Sequence, residues 1–432
     1  MGHPVEVPED PISRVRDAVL AGEPLPIEMI QLVAKAASED EQYAEEVSKR
    51  IFREIVEPLC DSFEPELSQR CDSFLSALIG PLWNRPSFER LSEGLDRSVL
   101  IGDDFLRLPA RQPKRCLALS RVTLGADVAV TSVVLDGLKK AYPDAEVALA
   151  CGAKVRELFA GDERLSFLQV EYPRHGSLRR RLDAWVDLLD QIEEWAGGDI
   201  EHSLVVNPDS RLTQLGRLPS APKGGRIHSY DSRSFGGDST KSIAELTSEW
   251  MQMMFDVEGS RPYVAPLDAD LAAGKRLRGD AARVAALNWG FGSNKTKRVS
   301  PEFETTVVLE LLRRGWRVVL DKGAGEAEGL AVEATAAAAR KERLADIEVY
   351  QGPLSGFAGV IAASDLFCGY DSAAGHIAAA LGVPGIDVFR GAVSERMMQR
   401  WSPWGRRPAQ VVDVASSEGD AQTLARVVEL LP

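Results

Sequence analysis

No part of this chain limits its fold more than the stretch from Ala363 to Phe389. A short apolar run, Leu366 to Cys368, reads as a buried strand. Small and polar residues follow from Asp371 to His376, leading into a compact Ala-rich helix. The turn Gly382-Val-Pro384 then ends that helix before a second strand, Gly385 to Phe389. In a parallel α/β sheet this order puts Asp371 to His376 at the carboxyl end of a strand and the amino end of a helix. Free N–H groups and the helix dipole favour an anion there, and a diphosphate is the natural ligand. The small side chains of Ser372, Ala373, Ala374 and Gly375 let the backbone approach phosphate oxygens closely. The plainer reading is a strand-to-helix turn with an Asp cap.

The same alternation extends over most of the chain. Strands are expected at Cys116–Leu119, Glu146–Cys151, Leu168–Glu171, Leu204–Asn207 and Arg226–Ser229. A second set is expected at Val284–Asn288, Arg317–Leu320, Ile347–Tyr350, Leu366–Cys368 and Ile386–Phe389. Helical patterns separate them, as in parallel sheets covered by helices. The first hundred residues read differently. Helix-period apolar residues mark Ile27 to Ala37, Glu41 to Val56 and Cys71 to Ile79, with Pro24, Pro26, Pro58, Pro65, Pro81 and Pro86 as punctuation. The expected partition is a helical extension over 1–105 and two α/β domains over 106–262 and 263–432.

Charge separates these regions further. Residues 1–100 hold 20 acidic and 10 basic side chains, most of the net charge of −14. That argues against nucleic acid or an anionic bilayer as a partner of this segment, and leaves packing, oligomerisation or acceptor choice as its uses. No apolar window is long enough to span a membrane, and the start lacks the pattern of a signal peptide. The five cysteines are scattered, and those in or beside strands point to reduced core residues of a cytoplasmic protein. No Cys-x-x-Cys occurs and the five histidines are far apart, so no metal site is expected.

Asp371, Ser372, His376, Gly382 and Pro384 resemble the nucleotide-sugar site of the heptosyltransferases, glycosyltransferase family 9. That family's pattern is Asp-(Thr/Ser)-Gly-x-x-His before an Ala-rich helix and Gly-x-Pro; Ala373 stands here for its usual Gly. Two further segments are similar. Trp316 to Leu320 leads through Gly323 to Glu326, matching a family turn whose Glu binds the nucleotide ribose. Cys116 to Thr131 holds Leu124-Gly125-Ala126-Asp127-Val128, where the family has Leu-Gly-Asp-Val, with Thr131 four residues after the Asp. The resemblance covers roughly Lys114 to Gly405. It implies the GT-B fold, two Rossmann-like domains facing across a cleft, with the last helix, Asp420 to Leu431, crossing back to the first.

The resemblance also implies roles. Asp127 becomes the general base, taking the proton of an acceptor hydroxyl; read from residues alone it could equally cap a helix. Its expected side chain faces the cleft. Asp371, Ser372, Ala373, Gly375, His376 and Glu326 hold the donor, with Lys297 or Arg298 on its diphosphate. The donor is a nucleotide sugar, ADP-linked by resemblance, and neither cofactor nor metal is implied. The basic run Arg179-Arg180-Arg181, with Asp209 and Arg211, suits an anionic or hydroxyl-bearing acceptor, although an exposed helix start explains the arginines as well. Asp268-Ala-Asp270 is more simply a helix start than a metal site, and Gly236 to Lys241 lacks the pattern of a nucleotide-hydrolase loop. The expected reaction is inverting, metal-independent glycosyl transfer. Two rival readings are a nucleotide-sugar 2-epimerase of the same fold and a non-catalytic GT-B scaffold.

Overall fold

Strands form where short apolar runs meet turn residues, and helices start where a cap frees the first turn from water. Ser177 accepts from the Arg180 N–H at the start of Leu178–Ala196, and Gly197 ends that helix in the left-handed conformation. Ser242 and Glu245 make a reciprocal capping box on Ile243–Phe255. Ser300 caps Pro301–Arg313, whose proline occupies the position that needs no N–H donor. The computed structural model describes residues 10–39, 41–80, 112–173, 175–220, 225–292, 294–323, 325–392, 394–415 and 417–432. The expected boundary at 105–106, with Pro81 and Pro86, lies outside them.

Among the described residues there are eleven strands in one five-stranded and one six-stranded sheet. They are β1 (Arg115–Leu119), β2 (Glu146–Cys151), β3 (Leu165–Gln169), β4 (Ser203–Asn207), β5 (Arg226–Ser229), β6 (Val284–Asn288), β7 (Arg317–Asp321), β8 (Ile347–Tyr350), β9 (Leu366–Tyr370), β10 (Gly385–Arg390) and β11 (Gln410–Val414). Every expected strand is present. β3 begins three residues earlier than expected, because Val147 of β2 pairs with Leu165.

Two compact units result: Met1–Pro113 with Val170–Ser239, and Lys114–Gln169 with Thr240–Pro432. This differs from the partition read off the sequence. In the first unit, the helices Pro11–Leu20, Ile27–Ala36, Glu41–Ile51 and Pro65–Ile79 form the expected helical region, packed together with later residues. Their buried faces (Val15, Ile30, Ile51, Phe74, Leu78) share one core with Leu178, Leu182, Trp185 and Leu189. Trp185 also donates to the Pro219 carbonyl at 2.7 Å, and the Leu178 N–H to that of Ala37 at 2.9 Å. Short helices cannot bury enough apolar surface by themselves, so the long helix completes their core. β4 and β5 pair in parallel in this unit.

In the second unit, β3, β2 and β1 run parallel, with Ser132–Ala141 and Ala153–Phe159 as their crossover helices. The six-stranded sheet has the order β11-β10-β9-β6-β7-β8, each pair parallel. Its strand ends at Asn288, Asp321 and Tyr370 therefore lie side by side, where α/β sheets bind ligands. The last helix, Asp420–Leu430, does not cross to the other sheet as expected. Val427 and Leu431 join the core of the six-stranded sheet, and Arg314 Nη1 donates to the Leu431 carbonyl at 2.7 Å. Among the described residues no helix is long and apolar enough to cross a membrane.

Candidate functional site

β9 ends at Tyr370, and the chain passes through Asp371 and Ser372 into the helix Ala373–Leu381. Ser372 is extended and makes no capping bond, so the first N–H groups of this helix are not closed off by their own cap. Its hydroxyl turns instead toward Asn288 Oδ1, 3.5 Å away. Lys297 Nζ donates to the Asp371 carbonyl at 3.1 Å and pairs with its carboxylate. A cation thus stands at the open end of a helix, an arrangement suited to an anion.

The neighbouring cation is committed elsewhere. Arg298 grips Glu304 with two bonds of 2.8 and 2.7 Å, and Glu304 is only 2% exposed. Tyr370 donates to the same carboxylate at 3.0 Å and accepts from the Val299 N–H at 3.0 Å. Arg390 holds the Arg298 and Val299 carbonyls at 2.8 and 3.0 Å. The loop carrying Lys297 is therefore fastened to β9 and β10. Burial raises the Glu304 carboxyl, with the Arg298 bond working against it.

His376 lies one turn into the helix, 4% exposed, its Nδ1 without a partner and its ring edge-on to Trp401. Burial pushes its pKa down to about 4 and so keeps the ring neutral near pH 7, with the Asp371 charge opposing. Below the helix start, Asp387 on β10 is fully buried with neither oxygen bonded, and a Cβ on Gly375 would come within 2.8 Å of it. Burial, and then the Asp371 charge, push the Asp387 carboxyl strongly upward.

The β1 end meets this helix in the same unit. Gly125 lies against His376 and Ala373, so close that a Cβ there would be 3.3 Å from His376 Cδ2. Asp127, two residues on, differs from expectation: it neither caps the helix nor faces a cleft, and is 0% exposed. It accepts from Ser120 Oγ at 2.9 Å, the Arg121 N–H at 2.7 Å and Thr131 Oγ1 at 2.8 Å. Desolvation raises its pKa to about 6, held back by those three donors. They turn the carboxylate inward and clamp a loop in which the β-branched Val122 adopts φ +69°.

Glu326 opens the helix Glu326–Lys341 and is exposed, lining an open cleft with Lys322, Leu330, Glu333 and Gln351. Glu328, which the sequence did not single out, is buried. It accepts from Phe291 N at 2.9 Å, Gly292 N at 3.0 Å and Gly325 N at 3.0 Å, joining the loops after β6 and β7. Asn288 donates to Asp321 at 2.6 Å across the same strand ends. Polar residues closing buried strands were the available signal for both.

The proposed acceptor residues belong to the first unit. Arg179 and Arg180 are exposed, and Arg180 lies 3.3 Å from Glu41. Arg181 is 3% exposed, stacked 4.1 Å over the Phe52 ring and donating to the Tyr172 hydroxyl at 3.2 Å. Asp209 accepts from Ser232 N and Oγ at 2.7 and 2.9 Å, and Arg211 stands 3.8 Å from Glu57. Asp268 and Asp270 lie in the first turn of Asp268–Arg278.

Residues 294–426 match the profile of glycosyltransferase family 9 (heptosyltransferase). No curated protein sequence matches the chain. Among solved structures, the chain is similar to a family 9 glycosyltransferase from Veillonella parvula, with TM-score 0.54 and 16% identity over 75% of this chain and 93% of that one. It is also similar to the E. coli ADP-heptose lipopolysaccharide heptosyltransferase II (TM-score 0.52, 18% identity, 73% of this chain and 96% of that one). E. coli heptosyltransferase WaaC with ADP gives TM-score 0.50 and 17% identity over 73% of this chain and 100% of that one.

Proposed function

We propose, for a glycosyltransferase that carries a family 9 domain on the GT-B fold, that it transfers a sugar to an acceptor hydroxyl by an inverting, metal-independent route. The likeness to E. coli proteins named for ADP-heptose and ADP supports an ADP-linked heptose as donor. One observation carries the reading: the uncapped start of Ala373–Leu381 with Lys297 beside it. The diphosphate lies against Ser372, Ala373 and Gly375, where backbone N–H groups and the ammonium offset the charge that grows as the glycosidic bond breaks. Asp371 orients Lys297. Arg298, spent on Glu304, supports the loop. His376 is a neutral, buried wall of this site. Glu326, exposed at its open cleft, accepts from the ribose hydroxyls.

Asp127 is the proposed proton acceptor, a role it takes when the loop that buries its carboxylate opens to the acceptor hydroxyl. A pKa near 6 leaves it ionised at pH 7 yet more basic than an ordinary carboxylate. Its three donors favour a second reading, in which Asp127 only holds the loop and the chain is a donor-binding scaffold. On the acceptor side, Arg179 and Arg211 suit an anionic or hydroxyl-bearing group, while the partners of Asp209, Arg180 and Arg181 give those three a structural role. The five buried cysteines, present as thiols rather than disulfides, support a reducing, cytoplasmic setting.

The test is incubation with a panel of nucleotide sugars and candidate acceptors, read by nucleotide release and intact mass. Acceptor-dependent release supports transfer. Interconversion of free sugars supports epimerisation, and binding without turnover supports the scaffold.

A further inference from the structure

Cys60 and Cys71 lie eleven residues apart in sequence, on the helices Glu57–Asp61 and Pro65–Ile79. The turn between these helices passes through Phe63 at φ +56° and folds one back on the other. Their sulfurs are 3.3 Å apart, both thiols are free, and they are 4% and 1% exposed. Small rotations about the two Cα–Cβ bonds close such a gap to a bond of ~2 Å.

The surroundings of the two sulfurs are unequal. The hydrogen bond with Cys71 lowers the Cys60 thiol pKa, with burial and the charges of Asp61 and Asp209 opposing it and the neighbouring Arg233 guanidinium assisting. Cys71 is pushed the other way, by its bond to Cys60 and by burial, with Asp72 adding to the effect. Arg233 itself stands 3.3 Å from Asp209, a carboxylate in a left-handed backbone conformation at the end of β4. The two thiols are thus unequal, and both stand next to a cation they share with Asp209.

We propose that Cys60 and Cys71 form a thiol–disulfide exchange site, which low-molecular-weight disulfides oxidise reversibly to an intramolecular bond. The Cys60 thiolate attacks one sulfur of the small disulfide, forming a mixed disulfide and expelling one thiolate. Cys71 then gives up its proton and attacks the Cys60 sulfur, expelling the second thiolate. Two protein thiols are oxidised, and one disulfide molecule is reduced to two thiols. The bond ties the two helices together and replaces the hydrogen-bonded thiol pair beside Arg233 and Asp209.

The experiment equilibrates the native, full-length protein with oxidised and reduced glutathione. Intact mass and non-reducing peptide mapping are the readouts. The expected result is loss of two hydrogen masses, with the peptides of Cys60 and Cys71 joined and the bond reversed by excess reduced glutathione. Cys71→Ser should stop at one glutathionyl group on Cys60, and Cys60→Ser should leave Cys71 unmodified. No mass loss under native conditions, a bond through Cys116, Cys151 or Cys368, or an unmodified Cys60 in the Cys71→Ser protein overturns the proposal.

Discussion

The backbone of Gly125 rests on the His376 ring: a methyl group at position 125 would approach Cδ2 to 3.3 Å and the Ala373 Cα to 3.6 Å. The loop that carries Asp127 is therefore seated on the helix Ala373–Leu381, the proposed diphosphate site. Gly125→Val should push the two apart, at the ~1–3 kcal/mol typical of overpacking. Turnover should fall by about tenfold or more, equivalent to 1.36 kcal/mol per decade, with circular dichroism unchanged. Full turnover in this variant would show that the seating does not matter.

Lys297 and Arg298 are adjacent, yet their replacements should fail differently. Lys297→Ala should weaken ADP binding with little change in melting temperature. Arg298→Ala leaves the 2%-exposed Glu304 without its cation, and losing one partner of a buried pair costs about 3–5 kcal/mol. Calorimetric ADP titrations beside thermal melts separate the two. The assignment falls if Arg298→Ala melts normally and binds ADP poorly.

Asp127 gives opposite pH signs for stability and activity. Burial raises its folded pKa to about 6, above the ~3.9 of an unfolded Asp. Its contribution to stability is full below pH ~4 and is lost as pH rises through 6. A base must be ionised, so kcat/KM should fall as pH drops through about 6. Asp127→Asn should lower turnover about 10²–10⁴-fold and abolish that acid limb. A variant that keeps the limb, or loses only melting temperature, identifies Asp127 as a loop clamp.

His376 has its pKa depressed to about 4 by burial, against ~6.5 when unfolded. Between those values the unfolded chain binds the proton and the folded one does not, so stability falls as pH drops from 6.5 toward 4. At 1.36 kcal/mol per unit the full effect is about 3 kcal/mol. His376→Gln should flatten the acid side of the melting curve and weaken ADP binding. An unchanged slope from pH 6.5 to 4 would mean the ring titrates as if exposed.

Glu326 and Glu328 are two residues apart and should also separate. Glu326→Gln should weaken ADP binding more than inorganic diphosphate binding, because only ADP carries ribose. Glu328→Ala frees the Phe291, Gly292 and Gly325 N–H groups together, and should lower melting temperature first. Equal losses of ADP and diphosphate affinity in Glu326→Gln would remove it from the ribose site.

The strands were legible because most are continuous apolar runs, such as Cys116–Leu119 and Val284–Asn288, that need no tertiary information. β3 was misplaced by three residues because Val147 chose its partner, and pairing leaves no trace in a single sequence. The segment from Asp371 to His376 was readable because a strand-to-helix turn has local chemistry. The inward turn of Asp127 was not, since nothing in the sequence tells that Ser120 and Thr131 donate to it until the loop brings them together. The shared core of Val15, Phe74 and Trp185 was equally hidden, because amphipathic helices do not name their partner.

That shared core sets a timetable for biosynthesis. The helices ending at Ile79 leave the ribosome long before Leu178–Ala196, which must cover them. At ~5–20 residues per second their apolar faces wait roughly 5–20 s for that cover. A ribosome stalled before Leu178 therefore displays an incomplete, adhesive helical cluster, so this chain's exposure to chaperones and proteases is greatest in mid-synthesis.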